Sequence, residues 1–314
     1  MLLIPEADVR RVLTMHDAVE CVERALADRA CGHAIDVSRE RTRTTLGTLN
    51  ILQGAAPGLG VTGYKAYYAT PQGSRSHIYL YDALSGMPLT LIEADFFNVV
   101  RTGAASAAAT RHLARTDCAV LGQIGAGRIG SGQLEAVCAV RPIRLARVYA
   151  RARDRLELFC REMAHKLGIE IVPARSAEDA VRGADVLNVI TKSAVPVLAG
   201  AWLSLGQHIN AAGANQLSRR ELDAEAVHRC DLVVVDSRDT ARRECGDLLP
   251  VVESGHLRWE ALPEIGEIMS GLLPGRSNED QITLYKSHGM AVQDLYLAAW
   301  VLDRVRAEGL GRKF

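Results

Sequence analysis

The stretch Cys118-Ala119-Val120-Leu121-Gly122-Gln123-Ile124 runs without a break into Gly125-Ala126-Gly127-Arg128-Ile129-Gly130. The first seven residues read as a short apolar strand, and the residues from Arg128 through Val140 as a helix. A G-x-G-x-x-G that follows a strand and opens a helix is a dinucleotide-binding turn, whereas the same glycines elsewhere mean little. Each glycine has a physical task. Gly125 permits the tight turn, Gly127 lets the backbone approach a pyrophosphate, and Gly130 lets helix and strand pack closely. The helix start adds free N–H groups and a partial positive charge for the anion. Gly125, Ala126, Gly127, Arg128, Ile129 and Gly130 are therefore the expected cofactor cradle.

Beyond this turn, strand alternates with helix. Apolar runs recur near 145–150, 169–172, 185–190, 208–212, 231–236 and 281–286, with helical patterns at 153–167, 176–183 and 219–229. Such alternation means βαβ units, so the class is α/β with a Rossmann-type, doubly wound parallel sheet. The second strand ends in Ala150-Arg151, at the place where an acid would bond the ribose 2′-hydroxyl of NAD. A small residue followed by a cation instead leaves room for a 2′-phosphate. The expected cofactor is NADP or NAD, with NADP favoured and Arg151 as its contact.

Before the turn the texture differs. Thr14-Met15-His16-Asp17 has the form of a capping box and opens an amphipathic helix that Gly32 stops. Residues 37–92 are short Thr-, Tyr-, Ile- and Val-rich runs punctuated by glycine and proline, which reads as mostly antiparallel strands. An alanine-rich helix is expected from Thr102 to Leu113, with Arg101 at its opening. A cation there opposes the helix dipole, so Arg101 calls for an anionic partner, either an internal carboxylate or a substrate. The architecture changes near 113–117, without a flexible tether. A last helix spans Met290 to Arg306.

Composition narrows the function. With 314 residues the chain is long enough for two modest domains. Lys and Arg number 37 and so do Asp and Glu, which argues against a nucleic-acid partner, whose binding needs surplus cations. No apolar run reaches the ~18 residues of a membrane helix, and the N-terminus lacks the basic flank of a signal peptide. Seven dispersed cysteines without a C-x-x-C fit reduced thiols in a cytoplasmic protein, and no metal site is expected.

Hydride chemistry at a dinucleotide needs a substrate held elsewhere. The candidate cations of the first half are Arg41, Arg43, Lys65 and Arg101. Lys65 lies in an otherwise apolar and aromatic strand.

At these residues the chain resembles the ornithine cyclodeaminase/μ-crystallin family, over nearly its whole length. The resemblance rests on Gly63-Tyr64-Lys65, Ser85-Gly86-Met87-Pro88-Leu89, Arg101-Thr102-Gly103-Ala104-Ala105-Ser106 and Gly125-Ala126-Gly127. It continues in Ile209-Asn210-Ala211-Ala212-Gly213-Ala214-Asn215, Arg220-Glu221-Leu222-Asp223, Val233-Val234-Val235-Asp236 and the run Lys286-Ser287-His288-Gly289-Met290 through Leu295. It implies a homodimer. An α+β substrate and dimerisation domain, residues 1–113 with 287–314, would carry the Rossmann domain, 114–286, as an insertion. It implies an NAD(P)-dependent enzyme, lyase or oxidoreductase, acting on a small α-amino or α-imino acid. Arg41, Lys65 and Arg101 fall at the family's carboxylate-binding positions, with Arg43 as the alternative to Arg41. Lys65 is also placed to polarise or orient an amine or imine.

Two departures bear on the reaction. Asn215 stands where ornithine cyclodeaminases carry an aspartate, and Asn98 where the family often has threonine. An amide hydrogen-bonds but accepts no proton at neutral pH. Lys65 and Asn215 are thus the expected catalytic pair for imine reduction, Δ1-pyrroline-2-carboxylate being the example. An alanine-type dehydrogenase and a non-catalytic, crystallin-like nucleotide binder are the alternatives. Among further candidates, Asp294 is expected to pair with Lys65 or Arg101, Asp236 to cap a helix, and His77, His208 and His288 to lie near strand ends.

Overall fold

The computed structural model describes residues 1–313. Its first elements are β1 (Leu2–Ile4), α1 (Glu6–Val12), α2 (Met15–Ala30), β2 (Ile35–Arg43), β3 (Thr48–Ala56), β4 (Val61–Thr70), β5 (Gly73–Asp82), β6 (Pro88–Glu93) and α3 (Asp95–Leu113). Next come β7 (Val120–Ile124), α4 (Arg128–Val140), β8 (Leu145–Tyr149), α5 (Arg153–Leu167), β9 (Glu170–Pro173), α6 (Ala177–Val181) and β10 (Val186–Val189). The chain ends with β11 (His208–Ala211), α7 (Ala224–His228), β12 (Leu232–Val235), α8 (Arg238–Glu244), α9 (Leu249–Glu253), α10 (Ile265–Met269), β13 (Thr283–Lys286), α11 (Ala291–Ala307) and β14 (Arg312–Lys313). They form two compact units. One is Met1–Arg101 with the chain from Gly289 on, and the other is Thr102–His288. No helix among the described residues is long and apolar enough to cross a membrane.

The first unit is built on a sheet ordered β14-β1-β6-β5-β4-β3-β2. β2 to β6 are antiparallel neighbours, and β1 runs parallel to β6. Side chains alternate across it. Leu52, Lys65, Ile78 and Ile92 lie opposite one another on one face, which α11 covers, with α2 packed against α11. Thr14 caps α2 by accepting from the Asp17 amide, as its sequence anticipates. Tyr64 and Tyr79 stack on the other face with ring centroids 5.7 Å apart.

The register between β2 and β3 slips between Val37 and Glu40. Val37 faces Gln53 and Glu40 faces Ile51, so Ser38 and Arg39 together oppose Leu52. Arg39 therefore lies on the face that carries Lys65, in line with Arg41 and Arg43, while the bulge turns Val37 to the opposite face. Burial falls along the row: Arg39 is buried, Arg41 half-buried and Arg43 exposed.

One expectation is corrected here. α3 starts at Asp95, well before Thr102, so Arg101 stands inside the helix and not at its dipole end. The Phe and Val residues of 96–100 favour strand by propensity, but burial of Phe97, Val99 and Val100 overrides it, and Glu6 accepts the Phe96 amide. The packing divides α3 after Arg101, whereas the sequence reading puts the domain boundary at the helix's end. The alanine-rich half packs with the second unit: a Cβ on Gly103 would lie 2.3 Å from the Gly132 carbonyl oxygen of α4.

The second unit holds a fully parallel sheet in the order β12-β13-β11-β10-β7-β8-β9. The chain leaves β7 for β8 and β9, then returns to β10 on the opposite side of β7. That reversal is the switch point at which α/β sheets bind ligands. Leu121, Ala146, Val148 and Val186 pack with residues of α4 and α5, while Ile124, Leu187, Val189, Ile209 and Leu284 pack with a second apolar cluster. The expected helix at 219–229 shrinks to α7. Asp223 caps it by accepting from the Ala226 amide, and the amides of Glu221 and Leu222 bond to Asp247 instead.

Candidate functional site

In the second unit, the turn after β7 has the cradle geometry. Gly125 adopts φ +118°, and a Cβ there would meet the Ile190 carbonyl oxygen at 2.2 Å. A Cβ on Gly130 would lie 2.7 Å from the Gly125 carbonyl oxygen. Gly127 differs: its φ is −92°, and nothing lies within 4 Å of the position a Cβ would take. Neither strain nor crowding in the protein requires glycine there, so the open space is suited to a ligand. Arg128 is exposed at the start of α4, Ile129 is half-buried, and the N-terminus of α4 has no side-chain cap. These features fit a dinucleotide pyrophosphate. Ala150 and the exposed Arg151 follow β8.

Gln123 was not singled out by its sequence. Its amide nitrogen donates to the carbonyl oxygens of Gly125 (2.9 Å) and Gly130 (3.1 Å), so the turn is braced from β7. Gln123 accepts in turn from Asn188, and Asn210 donates to Asn188 and to Thr110 on α3. This buried ladder of amides crosses three neighbouring strands. A glutamine inside an apolar strand was the available signal.

In the first unit, β4, α3 and α11 bring together Lys65, Asn98, Arg101, Gln293 and Asp294. Lys65 is 2% exposed, and its Nζ lies 2.9 and 2.8 Å from the two oxygens of the fully buried Asp294. Arg101 Nε is 3.2 Å from Asp294 Oδ1. Asn98 Oδ1 accepts from both Lys65 and Arg101, at 3.2 and 2.9 Å, and Gln293 Oε1 accepts from Arg101 at 3.2 Å. Gly289, at φ +82°, leaves space for the guanidinium: a Cβ there would come within 3.1 Å of Nη1.

Burial and then the nearby Arg101 charge lower the Lys65 pKa to about 7, with Asp294 opposing and Arg39 adding to the fall. Arg39 therefore belongs to this charge cluster, although the sequence reading named only Arg41 and Arg43 from this strand. Two-residue alternation from Arg41 already puts Arg39 on that face; what alternation cannot show is the strand bulge, which turns Val37 to the opposite face and ends the row of arginines at Arg39.

Asn215 is half-buried in the loop after β11. Asp236 does not cap α8; Ser237 does. Asp236 instead accepts from the Ser287 hydroxyl and the His288 amide and pairs with the His288 ring at 3.2 Å, tying β12 to the end of β13. Burial opposes the charge on His288, but the bonds to Asp236 and Cys245 push its pKa up to about 9. His208 is buried between Thr283 (2.9 Å) and Asn210 (3.1 Å), and burial takes its pKa down to about 3. His77 is exposed. Among the described residues no three His, Cys, Asp or Glu side chains cluster so as to hold a metal ion.

Similarity to known proteins agrees with this geometry. The chain is 32% identical to the Δ1-pyrroline-2-carboxylate reductase of Bacillus cereus, over all of this chain and 99% of that protein. The structure of Thermococcus litoralis Δ1-pyrroline-2-carboxylate reductase in complex with NADH and L-proline superimposes with a TM-score of 0.96, at 34% identity and full coverage of both chains. An archaeal alanine dehydrogenase dimer with bound NAD gives a TM-score of 0.94 at 28% identity, covering 100% of this chain and 98% of that one. The model of the ornithine cyclodeaminase/mu-crystallin family matches residues 2–309. A match of that extent, on a chain whose glycine cradle and buried cation cluster are both in place, means that the protein belongs to the ornithine cyclodeaminase/mu-crystallin family.

Proposed function

We propose that the protein is a nicotinamide-dependent reductase of a small α-imino acid, with Δ1-pyrroline-2-carboxylate as the leading substrate. The observation that carries this reading is the shared grip of Lys65 and Arg101 on Asp294 and Asn98. The Arg101 guanidinium carries five N–H donors in a planar fork that matches a carboxylate, and the Lys65 ammonium adds a second positive charge beside it. Two adjacent buried cations are what a substrate carboxylate needs. Arg41, half-buried on the same face of the sheet, is the third cation of the clamp.

When bound, the nicotinamide cofactor supplies the hydride. The residues of this chain do the rest. Two or three cations fix the carboxylate, and with it the adjacent carbon. Asn215 orients the imine nitrogen by hydrogen bonding, and Lys65, with its pKa near neutrality, is the proton source. An imine is already electrophilic, so the absence of an aspartate at 215 is no obstacle. The relatives were captured with NADH or NAD. Ala150-Arg151 supports a preference here for the 2′-phosphorylated form.

The outer face of β2–β6, with Ile35, Val37, Tyr64, Tyr68 and Tyr79, is the surface we assign to a second copy of this chain. Ile35 is 57% exposed, Val37 40% and Tyr68 39%, a patch of the kind that marks an interface. The archaeal alanine dehydrogenase is a dimer. Seven free, scattered cysteines support a cytoplasmic location.

The deciding measurement is paired: cofactor oxidation with Δ1-pyrroline-2-carboxylate, and ammonia release from ornithine with oxidised cofactor. Imine reduction is expected to be the faster, and Asn215→Asp to move the ratio toward ammonia. Brisk ammonia release by the unmodified protein would make ornithine the leading substrate, and turnover with pyruvate and ammonia alone would make it an alanine dehydrogenase.

A further inference from the structure

The motif Arg220-Glu221-Leu222-Asp223 has no task in the reaction as described, yet Glu221 is fully buried in the second unit. Its Oε1 accepts from the Thr191 amide and from the Thr191 hydroxyl at 2.7 Å. Oε2 accepts from the amides of Gly213 (2.7 Å) and Ala214 (2.9 Å). One carboxylate thus holds the loops that leave the carboxyl ends of β10 and β11. The Ala214 carbonyl is taken by Lys286 Nζ at 2.6 Å, from the end of β13. Lys286 pairs with Asp247 at 3.0 Å, and Asp247 accepts the backbone amide of Glu221. The circuit is closed: Glu221, the 213–214 backbone, Lys286, Asp247 and back to Glu221.

The fit is tight. A Cβ on Gly213 would stand 2.4 and 2.5 Å from the two Glu221 oxygens. Three buried ions are also a costly way to stabilise a fold, because each loses its hydration and well-packed apolar residues would do as well or better. What such a circuit provides is fixed geometry, and the next residue along the chain is Asn215.

We propose that Glu221 is a positioning residue for the reaction: with Lys286 and Asp247 it locks the Gly213-Ala214 backbone and thereby sets where the Asn215 amide stands relative to the substrate nitrogen. This rests on the reading of Asn215 as the group that orients the imine.

Glu221→Gln is the first test. A glutamine of the same shape must turn an NH2 toward one set of N–H donors, which releases either the Thr191 loop or the 213–214 loop. The expected result is a ten- to hundredfold fall in kcat for Δ1-pyrroline-2-carboxylate reduction, with dinucleotide affinity, read by fluorescence titration, within about twofold of the parent. Gly213→Ala, which pushes the same loop off the carboxylate, is expected to give the same split and serves if Glu221→Gln does not fold. A double-mutant cycle then asks whether the effect passes through Asn215. In an Asn215→Ala background, either substitution is expected to cost less than threefold further. Independent, multiplicative losses would overturn the proposal, as would equal losses of kcat and dinucleotide affinity. Should Asn215→Ala alone turn over at the parent rate, the reading of Asn215 fails first, and the positioning role falls with it.

Discussion

Lys65 and Asp294 are 229 positions apart in the chain, yet the ammonium lies 2.8 Å from the carboxylate, with both side chains out of water. The aspartate is also 3.2 Å from Arg101, so one acid anchors two cations. Removing one partner of a buried pair leaves an uncompensated charge, which typically costs about 3–5 kcal/mol. Asp294→Asn is therefore expected to destabilise the fold by about 3 kcal/mol in urea unfolding and to raise KM for any carboxylate substrate. A loss under about 1 kcal/mol, the range of an exposed pair, would show that the cluster is solvated.

Lys65 also predicts a pH profile. Its pKa is lowered, by burial first and Arg101 second, to about 7. Below that value the ammonium is charged and available to a carboxylate; above it the charge is lost. KM is expected to rise as pH climbs through about 7 and beyond, and Lys65→Arg, which stays charged, is expected to flatten that limb. A KM independent of pH across the neutral range in the parent enzyme would refute the assignment.

Gln123 gives a prediction for the cofactor turn. Gln123→Met keeps the volume but removes the donors to Gly125 and Gly130. Each bond contributes about 1 kcal/mol, so dinucleotide affinity is expected to fall about tenfold, as measured by quenching of protein fluorescence. Gln123→Glu is expected to be worse, since it sets acceptor against acceptor. Unchanged affinity in both variants would mean that the turn holds its shape without the brace.

For the adenosine end of the cofactor, Arg151→Ala is expected to weaken NADPH binding by about 1–3 kcal/mol and to leave NADH nearly untouched. Isothermal titration with both cofactors decides it. A parent enzyme that prefers NADH, or equal losses for the two, would assign Arg151 to the solvent.

His208 predicts an acid-sensitive fold. Burial holds its pKa at about 3, below the ordinary 6.5. The unfolded chain takes up a proton as pH drops below 6.5, whereas the folded ring stays neutral until about 3. Its contribution is thus complete above 6.5 and is lost as pH falls, by about 1.4 kcal/mol per pH unit inside that window. Unfolding midpoints at about pH 7 and pH 5 are expected to differ less in His208→Gln than in the parent. Parallel pH dependences would place the acid lability elsewhere.

The glycine turn, the parallel strands around it and the capped start of α2 were legible in the chain because each is a local property. A few consecutive residues decide a tight turn, an apolar period or a capping bond, and no distant segment has to be known. Three features were decided only by tertiary packing. The start of α3 moved back to Asp95 because burial of Phe97 and Val100 outweighed their intrinsic preference for strand. The row of arginines on the Lys65 face ends at Arg39, with Val37 turned to the outer face, because a bulge in β2 shifted the alternation by one residue, an event that depends on the register with β3. The Glu221 circuit draws on residues near 191, 213, 247 and 286, from different loops and strand ends. Periodicity shows which face of a segment is buried, but a buried charge persists only where partners from elsewhere meet it, and the folded chain alone decides which partners those are.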